Sequence, residues 1–366
     1  MKDKKINKPV ILIAPMDWGL GHATRCIPII TNLLNLGCDV ILAASGAGRV
    51  LLKNQFPALT CLETRGYNIR YSRKRSLLPW VLLAQLPGII STIYRERRWL
   101  KQIVEQYAVS AVISDNRPGF FHRNLPSVYI THQLQVKAGS RFVEWAIRKA
   151  HYRFINRFNE CWVPDYAGEL NLAGKLSHPV VLPAVPVKYI GPQSRFSKQE
   201  LEKKYAAAVI LSGPEPQRTM LENLVLKEAS LCNGKIVLVR GVINAPVLNS
   251  KDNPSLEVYD LMNSDELNRL ILQSEIIISR CGYSTVMDLI RLDKKAVLVP
   301  TPGQTEQEYL AGYLSVKKIF CCINQAQFSL TGALKEASGF AYRLAEIPVQ
   351  HNDSIKSWVE KFRPHQ

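Results

Sequence analysis

The chain has 366 residues, roughly twice the length of a common domain, so two domains are expected. Its 47% hydrophobic and 21% charged residues exclude wholesale disorder, and eight cysteines without a CxxC pair exclude a disulfide framework or a cysteine zinc site and fit a reducing cytosol. The formal charge of +17 is unevenly placed: residues 1–190 hold 26 Lys and Arg against 11 Asp and Glu, residues 191–366 hold 21 against 19, so the halves should meet different partners.

Lys2, Lys4, Lys5 and Lys8 precede an apolar run too short for a signal peptide, which reads better as a first strand at 10–14. Further β-branched runs at 39–44, 111–114, 127–130 and 160–163 alternate with helical patterns, and a second set follows at 208–211, 235–240, 256–259, 276–279 and 296–299. That alternation predicts parallel α/β architecture. The apolar stretch 77–93 contains Pro79, Gln85 and Pro87 and falls short of the ~20 apolar residues of a membrane span. Arg70, Arg73, Lys74 and Arg75 precede it; Arg95, Arg97, Arg98 and Lys101 follow. It fits either a buried helix pair with solvated flanks or an interfacial segment on an anionic membrane. The Pro- and Gly-bearing stretch 183–192 reads as an interdomain linker, and 352–362 as a last helix capped by Asn352, Asp353 or Ser354.

Three segments carry polar chemistry at strand ends. After the first strand comes Asp17-Trp18-Gly19-Leu20-Gly21-His22-Ala23-Thr24-Arg25, where glycines let backbone N–H groups approach an anion at a helix start. Thr24 and the absence of an acid after the second strand argue against a dinucleotide fingerprint. His22 can take a proton near neutral pH, or it can simply bond the loop backbone. After the strand at 276–279 comes Arg280-Cys281-Gly282-Tyr283-Ser284-Thr285, with Asp288 one turn on, on the helical face of Thr285. Ser284, Thr285 and the amides after Gly282 would meet a phosphate, and Asp288 could accept from a ribose or merely complement the helix dipole. The third segment, 299–308, crowds Gln304, Gln307 and Glu308 at a sheet edge that could hold a ligand or be an ordinary polar helix entry.

Gly-Leu-Gly-His after the first strand, Arg-Cys-Gly-Tyr-Ser-Thr-(x)2-Asp, and Pro-(x)6-Gln-Glu together resemble the GT-B glycosyltransferases. The likeness is strongest to the family 28 group that includes the undecaprenyl-muramoyl-peptide N-acetylglucosaminyltransferase, though the sugar and acceptor need not be the same. The resemblance implies two Rossmann-like domains with parallel sheets facing an interdomain cleft. It places an acceptor domain at 1–188, a nucleotide-sugar domain at 189–345 and a C-terminal helix at 346–366 that packs back on the first domain. It implies an inverting transfer of a sugar, for example an N-acetylhexosamine, from a UDP-sugar co-substrate, with no other cofactor and no metal. By match, Gly19 and Gly21 lie near the diphosphate and His22 is the base. Asp288 stands for a ribose-binding Glu, Gln307 and Glu308 for a Gln pair that meets the sugar, and Ser212, Gly213 and Arg218 for a phosphate-side loop; uracil would be read near 262–264. Arg280, Gly282, Ser284, Thr285 and Gln304 complete the expected donor set. Asp115, ending the strand at 111–114, could orient His22 or cap its own loop, and Trp18, Arg117 and His132 are the expected acceptor contacts, His132 also being a weaker candidate for the base. The acceptor expected is lipid-linked or a cell-envelope glycan, reached from the cytoplasm at an anionic membrane surface. A nucleotide-sugar 2-epimerase of the same plan is the rival reading. A nucleic-acid partner is not expected, because the basic residues lie beside Leu, Trp and Ile without a recognition motif.

Overall fold

The computed structural model describes residues 8–67, 78–138, 140–242, 254–347 and 353–362. Seven parallel strands make the first sheet: β1 (Val10–Pro15), β2 (Asp39–Ala44), β3 (Thr60–Glu63), β4 (Ala111–Asp115), β5 (Ser127–Ile130), β6 (Glu160–Val163) and β7 (Val187–Tyr189), in the order β3-β2-β1-β4-β5-β6-β7. Helices α1 (Leu20–Asn35), α2 (Gly46–Gln55), α3 (Leu78–Gln106) and α4 (Arg141–Ile155) connect them. The central strands are apolar on both faces because helices cover both, as a parallel sheet requires.

The second sheet has the order β10-β9-β8-β11-β12-β13, from β8 (Tyr205–Ile210), β9 (Ile236–Val239), β10 (Leu256–Tyr259), β11 (Ser274–Arg280), β12 (Ala296–Val299) and β13 (Cys321–Cys322). Its helices are α5 (Gln217–Glu228), α6 (Ser264–Gln273), α7 (Tyr283–Arg291), α8 (Thr305–Val316) and α9 (Leu330–Gly339). Strand order reverses between β1 and β4 in one sheet and between β8 and β11 in the other, which places ligand crevices outside those carboxyl ends. Both crevices open on the same cleft: Tyr283 Oη donates to Pro164 O (2.8 Å), Lys175 N to Tyr309 Oη (2.8 Å) and Thr305 Oγ1 to Lys137 O (2.8 Å).

All ten strands expected from the sequence are present. The stretch 183–192 is more than a linker: Val187 pairs with Cys161, so β7 extends the first sheet at an edge, where flanking prolines are tolerated. The chain then crosses into the second sheet, and α10 (Ser354–Glu360) returns to the first core, where Trp358 meets Trp162 edge to face at 5.3 Å. Residues 78–93 are no helix pair: α3 is one helix through Pro87, its later turns seating Ile93, Leu100 and Ile103 inside. The expected basic flank Arg70, Arg73, Lys74 and Arg75, with Leu77 and the side chains of 78–84, lies outside the described residues. No described helix is long and apolar enough to cross a membrane.

Candidate active site

Gly19 begins α1 with φ +67°, a backbone that favours glycine. Two residues on, Gly21 faces the other domain, and a Cβ there would lie 2.9 Å from Ser284 Oγ. The missing side chain thus lets the N-terminal turns of α1 and α7 meet across the cleft. Neither start has a side-chain cap, so two sets of helix N–H dipoles point into one space. Trp18 is partly exposed on the loop before α1.

His22, on the first turn of α1, meets Asp115 at the end of β4, with Nδ1 3.2 Å from Oδ1. Arg25, one turn further along α1, donates to the same carboxylate through Nε (2.8 Å) and Nη2. Its Nη2 also lies 2.9 Å from His22 Nδ1, and its Nη1 donates to His132 Nδ1 at 3.0 Å. A guanidinium only donates, so His132 carries its proton on Nε2, which reaches Glu306 Oε1 at 2.7 Å in the second domain. The His132 ring stacks on Tyr283, centroids 4.3 Å apart. Arg25, Asp115 and His132 are buried, whereas the His22 side chain keeps 14% and Glu306 34% exposure. Burial opposes ionisation of Asp115, but Arg25 and His22 outweigh it and hold the carboxyl well below the usual range. Burial lowers the His22 pKa; Asp115 pulls it up and Arg25 pushes it down.

In the second domain Gly282 precedes α7, and Ser284 and Thr285 sit in its first turn. Arg280 is almost fully buried, donating to Gln217 O (2.5 Å) and Val299 O (3.4 Å), and its Nε has no partner. Among the described residues it has no carboxylate partner, and burial lowers its pKa to about 10. Thr301 Oγ1 is also buried without a partner and faces Gly213, at which a Cβ would lie 3.6 Å away. Ser212 and Gly213 form the exposed loop after β8. Gln307 Nε2 donates to Gln304 Oε1 (2.6 Å), while its Oε1 accepts from Thr301 N (2.9 Å); Glu308 accepts from Gly303 N (2.9 Å). These three side chains brace the β12–α8 loop.

Three expected ligand contacts are otherwise engaged. Arg218 binds Glu215 (2.6 Å), Glu222 (3.1 Å) and Thr219 (2.7 Å), so its charge is already matched. Arg117 is fully buried against Glu96 (2.6 Å) and Thr64 (2.8 Å), and therefore lies behind the cleft. Asp288 accepts from Ser194 Oγ at 2.5 Å in the segment joining the two domains, and burial raises its carboxyl to about 6. Arg25 and Glu306 were missed as site residues. Arg25 follows His22 at helical i+3 spacing, a signal available in the sequence.

Residues 209–346 match the glycosyltransferase family 28 C-terminal domain. No curated protein matches the sequence. Among solved structures, the glycotransferase of kitacinnamycin is similar at TM-score 0.64 and 14% identity, over 97% of this chain and 96% of that one. MurG of Acinetobacter baumannii gives 0.56 and 15% over 97% and 99%, and the calicheamicin glycosyltransferase CalG4 0.62 and 11% over 97% and 93%. With two facing parallel sheets of the GT-B plan, the chain carries a glycosyltransferase family 28 C-terminal domain in its second half.

Proposed function

We propose that the protein transfers a sugar, with inversion, from a UDP-sugar to a hydroxyl of a lipid-linked or cell-envelope glycan at a membrane surface. The observation that carries this reading is the His22–Asp115 contact facing the uncapped start of α7 across the cleft. His22 Nε2 takes the acceptor proton as the hydroxyl oxygen attacks the anomeric carbon and the bond to the β-phosphate breaks, its electron pair leaving on UDP. The helix starts at Gly19 and Gly282, with the unmatched charge of Arg280 beneath the β8 loop, favour the diphosphate.

The acceptor side is supported by α4. Its first ten residues stand largely in solvent, Phe142 74% and Trp145 47% exposed, with Arg141 and Lys149 exposed beside them and Lys149 over the Trp145 ring. Its acid, Glu144, turns to Ala138 N (3.2 Å) and Gln135 (3.2 Å). Apolar and cationic groups on one unpartnered helix suit an anionic bilayer interface. The helix follows the His132 loop, whose Lys137 touches Thr305, so a lipid-held acceptor would arrive beside the cleft.

The test measures UDP release from UDP-sugars with a polyprenyl-linked saccharide in anionic vesicles. Acceptor-dependent release that His22→Ala abolishes, with UDP binding retained, is expected. Sugar interconversion without acceptor would replace this reading with the epimerase, and release that ignores the vesicles would remove the membrane from it.

A further inference from the structure

Between β6 and β7 the chain runs Pro179-Val180-Val181-Leu182-Pro183-Ala184-Val185-Pro186-Val187, nine residues without one polar side chain. Such a run is expected to be buried, and in part it is. Val185 and Val187 pack on the core that holds Tyr152 and Ile155, and Pro179 and Pro183 are buried. The tip between those two prolines is not: Val180 is 99% exposed, Val181 51% and Leu182 47%. The tip is nonetheless firmly held. Buried Tyr152 donates its hydroxyl to Val181 O (2.6 Å), and Ala184 N donates to Asn156 Oδ1 (2.8 Å). Fixed proline dihedrals and two hydrogen bonds thus hold three aliphatic side chains in water, which forgoes their burial.

The surroundings indicate what covers them. Both anchors lie at the C-terminal end of α4, where Arg153 follows Tyr152 and Arg157 follows Asn156, each exposed. The acids of the packed elements are already paired: Glu160 with Lys188 (2.9 Å) and Lys361 (2.5 Å), Glu144 with Ala138 N and Gln135. Trp145 and Tyr152 are seven residues apart on α4, hence on one helical face and roughly 10 Å from each other. The tip therefore lies along the flank that shows Trp145 to solvent. Three aliphatic side chains offer far less than the about 800 Å² that each partner gives a stable protein interface. They suit a bilayer, whose acyl boundary takes apolar groups while its anionic headgroups meet the cations.

We propose that Val180, Val181 and Leu182 form a membrane-insertion tip, entering the acyl boundary of an anionic bilayer beside Trp145 while Lys149, Arg153 and Arg157 meet the headgroups. The inference rests on the membrane part of the proposed function and adds a second, fixed point of contact to it. A lone helix touches a bilayer along a line, about which the protein can roll. A rigid tip beside that line stops the roll and sets the height of the cleft, because α4 continues from the His132 loop.

Co-sedimentation with vesicles of equal parts phosphatidylglycerol and phosphatidylcholine tests the tip. Val180→Ser/Leu182→Ser changes no charge and alters only exposed side chains, so the urea midpoint should stay parental. Its vesicle affinity should fall about thirtyfold or more, the loss expected when two aliphatic side chains no longer leave water for half their surface. Its salt dependence should match the parent's, because the cations remain; Arg153→Gln/Arg157→Gln should instead flatten that dependence. Leu182→Trp should add fluorescence that bromines on the upper acyl carbons quench. Parental affinity in the serine variant, or an unquenched Leu182→Trp, overturns the tip and leaves the membrane reading standing. A parent that ignores the vesicles overturns both. A parent that is a dimer without vesicles, and that the serine changes make monomeric, also overturns the tip and assigns the loop to a second copy.

Discussion

Asp115→Asn tests the charge balance of the site most directly. Asp115 is completely buried and accepts from Arg25 Nε at 2.8 Å, from Arg25 Nη2 and, at 3.2 Å, from His22 Nδ1. Asparagine keeps the volume but has one acceptor oxygen, so its amide must face a donor from Arg25 or His22. Arg25 is left buried and without its counter-ion, and breaking a buried pair from one side costs about 3–5 kcal/mol. Against a total of about 5–15 kcal/mol, that loss is plain in urea unfolding. Without the carboxylate His22 Nδ1 accepts from Arg25, the base is lost, and transfer should fall about 10²- to 10⁴-fold when assayed well below the unfolding midpoint. The pH dependence has a fixed sign. Arg25 and His22 hold the Asp115 carboxyl low against its burial, so its stabilisation is complete above the ordinary aspartate pKa of about 4. It fades as pH falls through the depressed value. The gap between parent and variant should accordingly be full at pH 7 and shrink below about pH 4. A gap under about 1 kcal/mol at pH 7, or activity within a few-fold of the parent, refutes this account.

Gly21→Ala places a Cβ 2.9 Å from Ser284 Oγ, so that hydroxyl must turn within the space shared by the starts of α1 and α7. Donor KM should rise several-fold, and Ser284→Ala in the same chain should restore part of it; a parental KM in the single variant shows that the two helix starts do not share a ligand. For Asp288, burial raises the folded carboxyl to about 6, so the parent should lose stability as pH climbs from about 4 through 6 and then level off. Asp288→Asn cannot ionise and should hold its stability across that window, so parallel urea midpoints for the two proteins from pH 4.5 to 7.5 would contradict the assignment.

The strands that sequence revealed are mostly apolar runs buried on both faces, as with Ile11, Leu12 and Ile13 in β1, the half-buried β10 being an exception. The strands it hid lack that property. β3 reads Thr-Cys-Leu-Glu at a half-buried edge, β7 is three residues among prolines, and β13 is two cysteines, so only pairing with a neighbour defines them. The site divides in a similar way. His22 and Asp115 are visible because each follows a strand at the point where strand order reverses, and topology then brings them together. The arginines are harder to read, since a cation near a loop looks the same whether it awaits a phosphate or already holds a carboxylate. For Arg218 the answer was written nearby, in Glu215 at −3, just before α5, and Glu222 at +4 on the same helix. For Arg117 the partner, Glu96, is 21 residues away on α3, and no spacing rule reports it.

Arg280 is the opposite case, a cation that folding leaves without a carboxylate. Two carbonyls satisfy part of its hydrogen-bonding capacity but none of its charge, and burying an unmatched guanidinium is unfavourable by several kcal/mol. Thr301 Oγ1, unpartnered and facing Gly213, lies under the same loop system. Arg25 in the first domain, as buried as Arg280, is by contrast matched by Asp115 and, through His132, by Glu306. Around His22 the charges are thus matched, whereas Arg280 keeps an unmatched positive charge. In the proposed transfer, a diphosphate in the second domain and a hydroxyl in the first would use both conditions at once, because negative charge would grow on the leaving phosphate while the proton moves to His22.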